Sequence, residues 1–211
     1  MSELTTRILS AIAMIALALA AAVVGGYTFA VLAAAIATGM FYEWLRITRG
    51  WGPAWAIGGF FYCLAPALAL LWVRDRSGSE GLALLLWLFL VTWSTDIGAY
   101  FAGRNFGKRK LAPSISPNKT VEGLVGGIAA AALFGAAWVW ANELGPALLF
   151  LAPLFAVAAQ AGDLFESKMK RQAGVKHSGD WLPGHGGLLD RLDGLVPVAV
   201  LTFAAQAAGL A

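Results

Sequence analysis

The run Leu82-Ala-Leu-Leu-Leu-Trp-Leu-Phe-Leu-Val-Thr-Trp-Ser-Thr95 carries no charge and stops at Asp96. Continued to Phe101, it reaches the length of about 20 residues that a helix needs to cross a hydrocarbon core. In lipid such a run must be helical, because each backbone donor and acceptor has to be satisfied within the segment. Working outward, further apolar stretches lie near 8–24, 29–47, 54–73, 122–141, 146–164 and 194–210. The chain is 59% hydrophobic and 13% charged, whereas soluble domains carry about 25% charged residues. A soluble globular domain is therefore excluded. The pattern predicts an all-α, polytopic helical membrane protein with about seven transmembrane helices. No internal repeat or low-complexity linker interrupts the sequence, so residues 1–211 read as a single integral membrane domain. Residues 1–81 supply N-terminal hydrophobic helices, and 82–211 supply helices together with the polar loops.

The first span has a basic lead, Arg7, and a small-residue tail, Ala20–Gly26, and so shares features with a signal peptide. Further spans follow at once, which favours a retained first helix. Gly25-Gly26 and Gly50-Trp51-Gly52-Pro53 predict tight turns between helices. Trp44, Trp51, Trp55 and Trp72 lie near span ends, where interfacial anchoring is expected. The single cysteine, Cys63, precludes an internal disulfide and reads as a packing residue. With the N-terminus on the cytoplasmic side, only Arg74 and Arg76 of the fifteen basic residues fall on the opposite side. The positive-inside rule therefore predicts a cytoplasmic N-terminus, with both highly charged loops facing the cytoplasm.

Ionisable residues at membrane depth are costly and usually functional. Asp96 closes one apolar run, Asp163 closes another, and Glu122 opens a third. Asp163 and Glu166 share a helix face by spacing, as do Asp190 and Asp193. Brought together, such pairs suit Mg²⁺, a hard cation held by a few carboxylates plus phosphate oxygens. The alternative is that Asp163 and Asp190 form structural ion pairs with Lys168 or Arg191. The segment 167–193 also holds Lys170, Arg171, Lys176 and the turn Pro183-Gly-His-Gly-Gly187. Gly186 and Gly187 allow close backbone approach to a phosphate ahead of a helix N-terminus. His185 is a candidate for bonding phosphate or orienting a metal-bound group, with a purely structural role as the alternative. In the other loop, Ser116 and Pro117 suit a helix start that places Lys119 and Thr120 in its first turn. That end can bind phosphate, Glu122 can reach a cation, and the basic cluster Arg104–Lys110 serves either function or topology.

Segment 167–193 closely resembles the signature of the phosphatidate cytidylyltransferases, or CDP-diacylglycerol synthases: S-x-x-K-R, four residues, K-D-x-x-x-x-x-P-G-H-G-G-x-x-D-R-x-D. The stretches Gly162–Ser167, Ser116–Gly123 and Asp96–Lys108 are similar to that family as well. The matches occupy roughly the C-terminal half, in matching order. The resemblance implies an enzyme transferring CMP from CTP to phosphatidic acid, giving CDP-diacylglycerol and pyrophosphate. It implies an integral protein of the bacterial inner membrane, cytoplasmic active site, membrane-lipid partners, no nucleic acid, and a homodimer. It implies Mg²⁺, with a second, monovalent cation such as K⁺ as a further candidate. Asp163, Asp190 and Asp193 would hold metal. Lys170, Arg171, Lys176, His185 and Arg191, with Asp190 and Asp193, would form the catalytic set. Asp96, Ser116, Asn118, Lys119, Thr120, Glu122, Gly186 and Gly187 would bind substrate.

Two departures stand out. His177 occupies the position of the Asp that follows the second Lys of the signature, with Asp180 three residues on. The chain is also shorter than typical members, which carry more N-terminal helices. The nearest competing reading is a CTP-dependent lipid-alcohol kinase, which would release CDP rather than pyrophosphate. A catalytically altered member is another, because of His177. A CDP-alcohol phosphotransferase fits poorly, since Asp193-Gly194 runs into Leu195-Val-Pro-Val without the D-G-x-x-A-R pattern. Transporters place polar sites at mid-bilayer, whereas the polar residues here gather toward one interface.

Overall fold

The structure, a computed structural model, describes residues 3–76, 79–182, 184 and 186–210. Its helices are α1 (Glu3–Val24), α2 (Gly26–Ile47), α3 (Pro53–Arg74), α4 (Glu80–Phe106), α5 (Val121–Ala141), α6 (Leu148–Gln172), α7 (Leu189–Leu192) and α8 (Leu195–Ala207). Between α4 and α5 lies a short antiparallel hairpin, β1 (Lys110–Ala112) and β2 (Ser116–Thr120). The protein is therefore an all-α polytopic bundle with one small β insertion. Helices α2 to α6 are long and apolar enough to cross a membrane. Of the seven expected spans, the first and last correspond to shorter apolar stretches, Ile8–Val24 and Leu195–Ala207.

The turns follow from local chemistry. Gly25 sits at φ 68° between α1 and α2, a backbone geometry that L side chains rarely adopt. A Cβ there would also meet the Arg74 guanidinium at 2.7 Å. Arg74 donates from Nε to the Ala22 carbonyl at 2.5 Å and from Nη2 to the Val23 carbonyl at 3.0 Å. These bonds satisfy carbonyls that the end of α1 leaves open, with a cation at the negative end of its dipole. Pro53 occupies the first position of α3, where its missing N–H is harmless.

Helix α4 is the axis of the core. Leu84, Leu85, Trp87, Leu88 and Val91 are buried with Leu148, Ala152 and Ala156 of α6 and Val198 of α8. Against α5 the contact is made by small residues, since in lipid close packing rather than hydrophobicity holds helices together. Gly123, Gly127, Ala131 and Gly135 recur every four residues on the buried face of α5. A Cβ on Gly127 would approach the Thr95 carbonyl at 2.8 Å, and one on Gly98 the Gly126 carbonyl at 2.7 Å. Two indole N–H groups bridge the same seam, Trp87 to the Gly135 carbonyl at 3.2 Å and Trp138 to the Ala83 carbonyl at 2.9 Å.

A second cluster joins Met40, Trp44 and Ile47 of α2 to Cys63 of α3, Met169 of α6, Leu189 of α7 and Val196 of α8. Cys63 is buried and free, as a packing residue should be. Trp44, expected at an interface, is instead 3% exposed. Its indole N–H reaches the Trp55 carbonyl at 2.7 Å, and its ring lies where Gly59 has no side chain. The remaining ends sort cleanly. Arg76, Glu80, the 143–148 connection and Gly209–Leu210 line one cavity at one end of the bundle. The hairpin, the segment after α6 and the C-terminal end of α2 meet at the other.

Candidate active site

At that second end lies a cavity of about 550 Å³, lined by residues of α4, β2, α5, α6, the segment 176–177 and α7, many of them charged. The hairpin places the first of them. Ser116–Thr120 form a strand rather than a helical turn, because they pair with Lys110–Ala112 and Val121 N–H closes on the Arg109 carbonyl at 2.9 Å. The N-cap of α5 is consequently Thr120, whose hydroxyl accepts from Gly123 N–H at 3.0 Å. Lys119 is thereby held on the strand just ahead of that cap, not in a first helical turn. Its Nζ lies 2.6 Å from Asp163 Oδ2 and donates to Gln160 Oε1 at 2.8 Å. Gln160 passes the contact on, from Nε2 to Asp96 Oδ1 at 3.4 Å. Ser167 donates to the other Asp163 oxygen at 3.2 Å.

A second ion-pair group stands beside it. Lys170 Nζ is 2.5 Å from Asp190 Oδ1 and 3.1 Å from Glu166 Oε1, all three side chains being buried. Asp190 Oδ2 accepts from Ser178 N–H at 2.9 Å and from Gly187 N–H at 3.0 Å. Burial alone would raise the Asp190 pKa, but Lys170 and these two N–H groups outweigh it and hold the carboxyl below its ordinary range. Asp193 goes the other way. Burial first, then repulsion from Asp163 and Asp96, lifts it well above the usual carboxylate range, against the Gly194 N–H that bonds it at 2.8 Å. Asp163 and Asp190 therefore do form ion pairs, with Lys119 and Lys170.

Of the expected site residues, Asp96, Asn118, Lys119, Thr120, Asp163, Lys170, Arg171, Lys176, Asp190, Arg191 and Asp193 line this cavity. Four do not. Ser116 is paired opposite Ala112 in the hairpin. Glu122 turns toward the loop, accepting from Lys108 N–H at 3.0 Å and pairing with Arg109 Nε at 3.3 Å. It closes that loop instead of facing the cavity. Gly186 and Gly187 make room for protein groups. A Cβ on Gly186 would meet Asp190 Oδ2 at 2.6 Å, and one on Gly187 would strike Ser178 Oγ and the Glu43 carboxylate. His185 lies outside the described residues. His177 lines the cavity, with Nδ1 3.7 Å from Asp190 Oδ2.

Three residues escaped the sequence reading. Gln160 and Ser178 are neutral polar residues, and nothing in their surroundings marks them. Glu43 did carry a signal, a lone acid inside the apolar stretch 29–47. It is fully buried and accepts from Ser178 Oγ at 2.8 Å and from the N–H groups of Leu188 and Leu189, each at 2.9 Å.

A metal here would draw on these carboxylates. No cluster of three or more His, Cys, Asp or Glu stands ready to hold one among the described residues. Mg²⁺ needs no such cage, since one or two carboxylates plus substrate phosphates complete its shell. Asp163 and Asp193 line the same cavity as the phosphate-neutralising cations, and such a pair fits a cation that arrives with a polyphosphate.

Comparison with known proteins agrees with this chemistry. The phosphatidate cytidylyltransferase of Brucella suis biovar 1 is 40% identical over 254 aligned positions, covering 96% of this chain and 93% of that protein. The alignment is longer than the 211 residues here, so the Brucella protein carries internal insertions relative to this chain. The enzyme of the same name from Staphylococcus saprophyticus is 48% identical over 126 residues, 58% of this chain and 48% of its own length. That of Bacillus subtilis is 49% identical over 116 residues, 54% and 43% of the respective chains. The sequence profile of the cytidylyltransferase family matches residues 49–208, a stretch that includes every element of the cavity, and the chain belongs to that family.

Proposed function

We propose that this protein is a phosphatidate cytidylyltransferase, transferring CMP from CTP to phosphatidic acid. A lipid phosphate oxygen attacks the α-phosphorus of CTP, and the bond from that phosphorus to the bridging oxygen breaks. Pyrophosphate leaves with the electron pair, and CDP-diacylglycerol remains. No protein nucleophile is needed, and a phosphate dianion needs no strong base. What the reaction requires is two anions held together and in line. The observation that carries the proposal is the convergence of Lys119, Lys170, Arg171, Lys176 and Arg191 on one cavity with Asp163, Asp190 and Asp193.

In this reading the cations neutralise the triphosphate and the lipid headgroup. Asn118 and Thr120 bind substrate at the hairpin end. Asp163 and Asp193 would hold Mg²⁺ with Asp190 beside them, and the metal would supply charge neutralisation between the two reactants. The site faces the cytoplasm, where CTP is found, the N-terminus lies on that side, and α1 and α8 complete seven membrane segments. Arg171 has a second task, since its Nε also reaches the Ile115 carbonyl at 3.3 Å and ties α6 to the hairpin.

The test is product analysis of the purified protein with CTP and Mg²⁺, offered phosphatidic acid in one arm and a long-chain lipid alcohol in the other. CDP-diacylglycerol with pyrophosphate supports the proposal, while CDP with a phosphorylated lipid alcohol would replace it by the kinase reading. The metal assignment has its own readout. Titration with Mn²⁺ in the presence of CTP, followed by electron paramagnetic resonance, should show a bound signal that Asp163→Asn and Asp193→Asn each weaken. An unchanged signal in both variants would remove these carboxylates from the metal site.

A further inference from the structure

Glu43 belongs to α2, in the half of the chain that otherwise offers hydrocarbon, yet its carboxylate is wholly buried. A buried carboxylate is tolerable only when its oxygens are well satisfied. Here, among the described residues, the donors are the Ser178 hydroxyl and two consecutive backbone N–H groups, Leu188 and Leu189. All three lie in the 178–190 segment, whose described residues form little regular structure.

The link runs onward to the cavity. Ser178 Oγ accepts from Asp190 N–H at 3.3 Å, and Ser178 N–H donates to Asp190 Oδ2 at 2.9 Å. Glu43 thus reaches Asp190, and through it Lys170, by way of one serine. One turn along the same face of α2, Arg46 adds a second grip, donating from Nη2 to the Ser178 carbonyl at 2.6 Å. The two glycines beside the carboxylate complete the case. A Cβ on Gly179 or on Gly187 would collide with Glu43. The segment is shaped around this acid.

We infer that Glu43 is a positioning residue for the cytidylyl-transfer site, clamping the 178–190 segment to a membrane helix so that Asp190 and Lys170 stay in register. The inference rests on the function proposed above. A loose clamp displaces the carboxylate–lysine pair without removing it, and displacement of about 1 Å at a transfer site can lower turnover by about a hundredfold.

The experiment compares wild type, Glu43→Gln, Ser178→Ala and the double variant, with turnover divided by the number of CTP-binding sites from calorimetric titration. Glutamine keeps the size but turns an N–H₂ toward backbone donors, and alanine deletes the relay hydroxyl from the other side. Each single variant should retain CTP binding and lose about tenfold or more in turnover per site. The double should be no slower than the worse single, because both cut one link. Wild-type turnover per site in both singles overturns the inference, as do losses that multiply in the double. A loss explained entirely by fewer binding sites also overturns it, since that is what a purely structural role would give. Should Glu43→Gln fail to fold, Ser178→Ala decides alone by the same readout. A wild-type protein that forms no CDP-diacylglycerol would instead sink the functional reading.

Discussion

Asp190 commits both carboxylate oxygens to protein donors, Lys170 on one side and two backbone N–H groups on the other. Lys170 is equally committed, lying between Asp190 and the buried Glu166. Removing the lysine charge leaves two buried carboxylates facing each other. Lys170→Met should therefore destabilise the protein by about 3 kcal/mol or more, read as a lower unfolding temperature in detergent. Turnover should fall as well, and Lys170→Arg should recover stability better than activity. A methionine variant as stable as wild type would show that the pair is not closed in solution. Asp190 itself was legible in the sequence, because an acid spaced three residues from Asp193 after a Gly-rich turn has a recognisable pattern. Glu43 was legible in kind but not in purpose. Its partners lie more than 130 residues away in sequence, and no local pattern reports a contact of that range.

Elements fix how close these side chains come. The α4–α5 seam carries Asp96 at one edge and ends at the Thr120 cap, so its spacing sets the distance between Asp96 and the hairpin. Gly126 faces Ala102 with no room for a Cβ. Gly126→Leu should force the helices apart, lowering stability by about 2 kcal/mol, with turnover falling alongside the unfolding temperature. Full activity in that variant would mean the seam does not govern the site. The apolar periods of α2 to α6 were readable because membrane helices announce themselves by length. The hairpin was not. Ser116-Pro117 satisfies the usual signals for a helix start, and the strand wins because it pairs with Lys110–Ala112 across a turn, a tertiary choice that outweighs local preference. A phosphate cradle at Gly187 meets the same obstacle, since the groups that fill its space, Ser178 and Glu43, come from elsewhere in the chain.

At the scale of the molecule, the length of α8 carries information about depth. Its thirteen residues span about 20 Å, short of a hydrocarbon core of about 30 Å. Yet Gly209 and Leu210, just beyond it, already reach the end of the bundle lined by Glu80 and Glu143. In the proposed orientation Asp193, two residues ahead of α8, would then lie below the level of the membrane surface at the site end. A site sunk in this way would let a lipid phosphate enter from the side while CTP enters from the proposed cytoplasmic face. The arrangement requires the two ends to face different compartments, and single cysteines can report that. Glu143 and Gln172 are both exposed at opposite ends of α6 and its approach, and the native Cys63 is buried. In intact cells a membrane-impermeant maleimide should label Glu143→Cys, and it should reach Gln172→Cys only after the inner face is opened. The reverse pattern would put the cavity on the side without CTP and overturn the orientation, while equal labelling of both positions would mean that α6 does not cross.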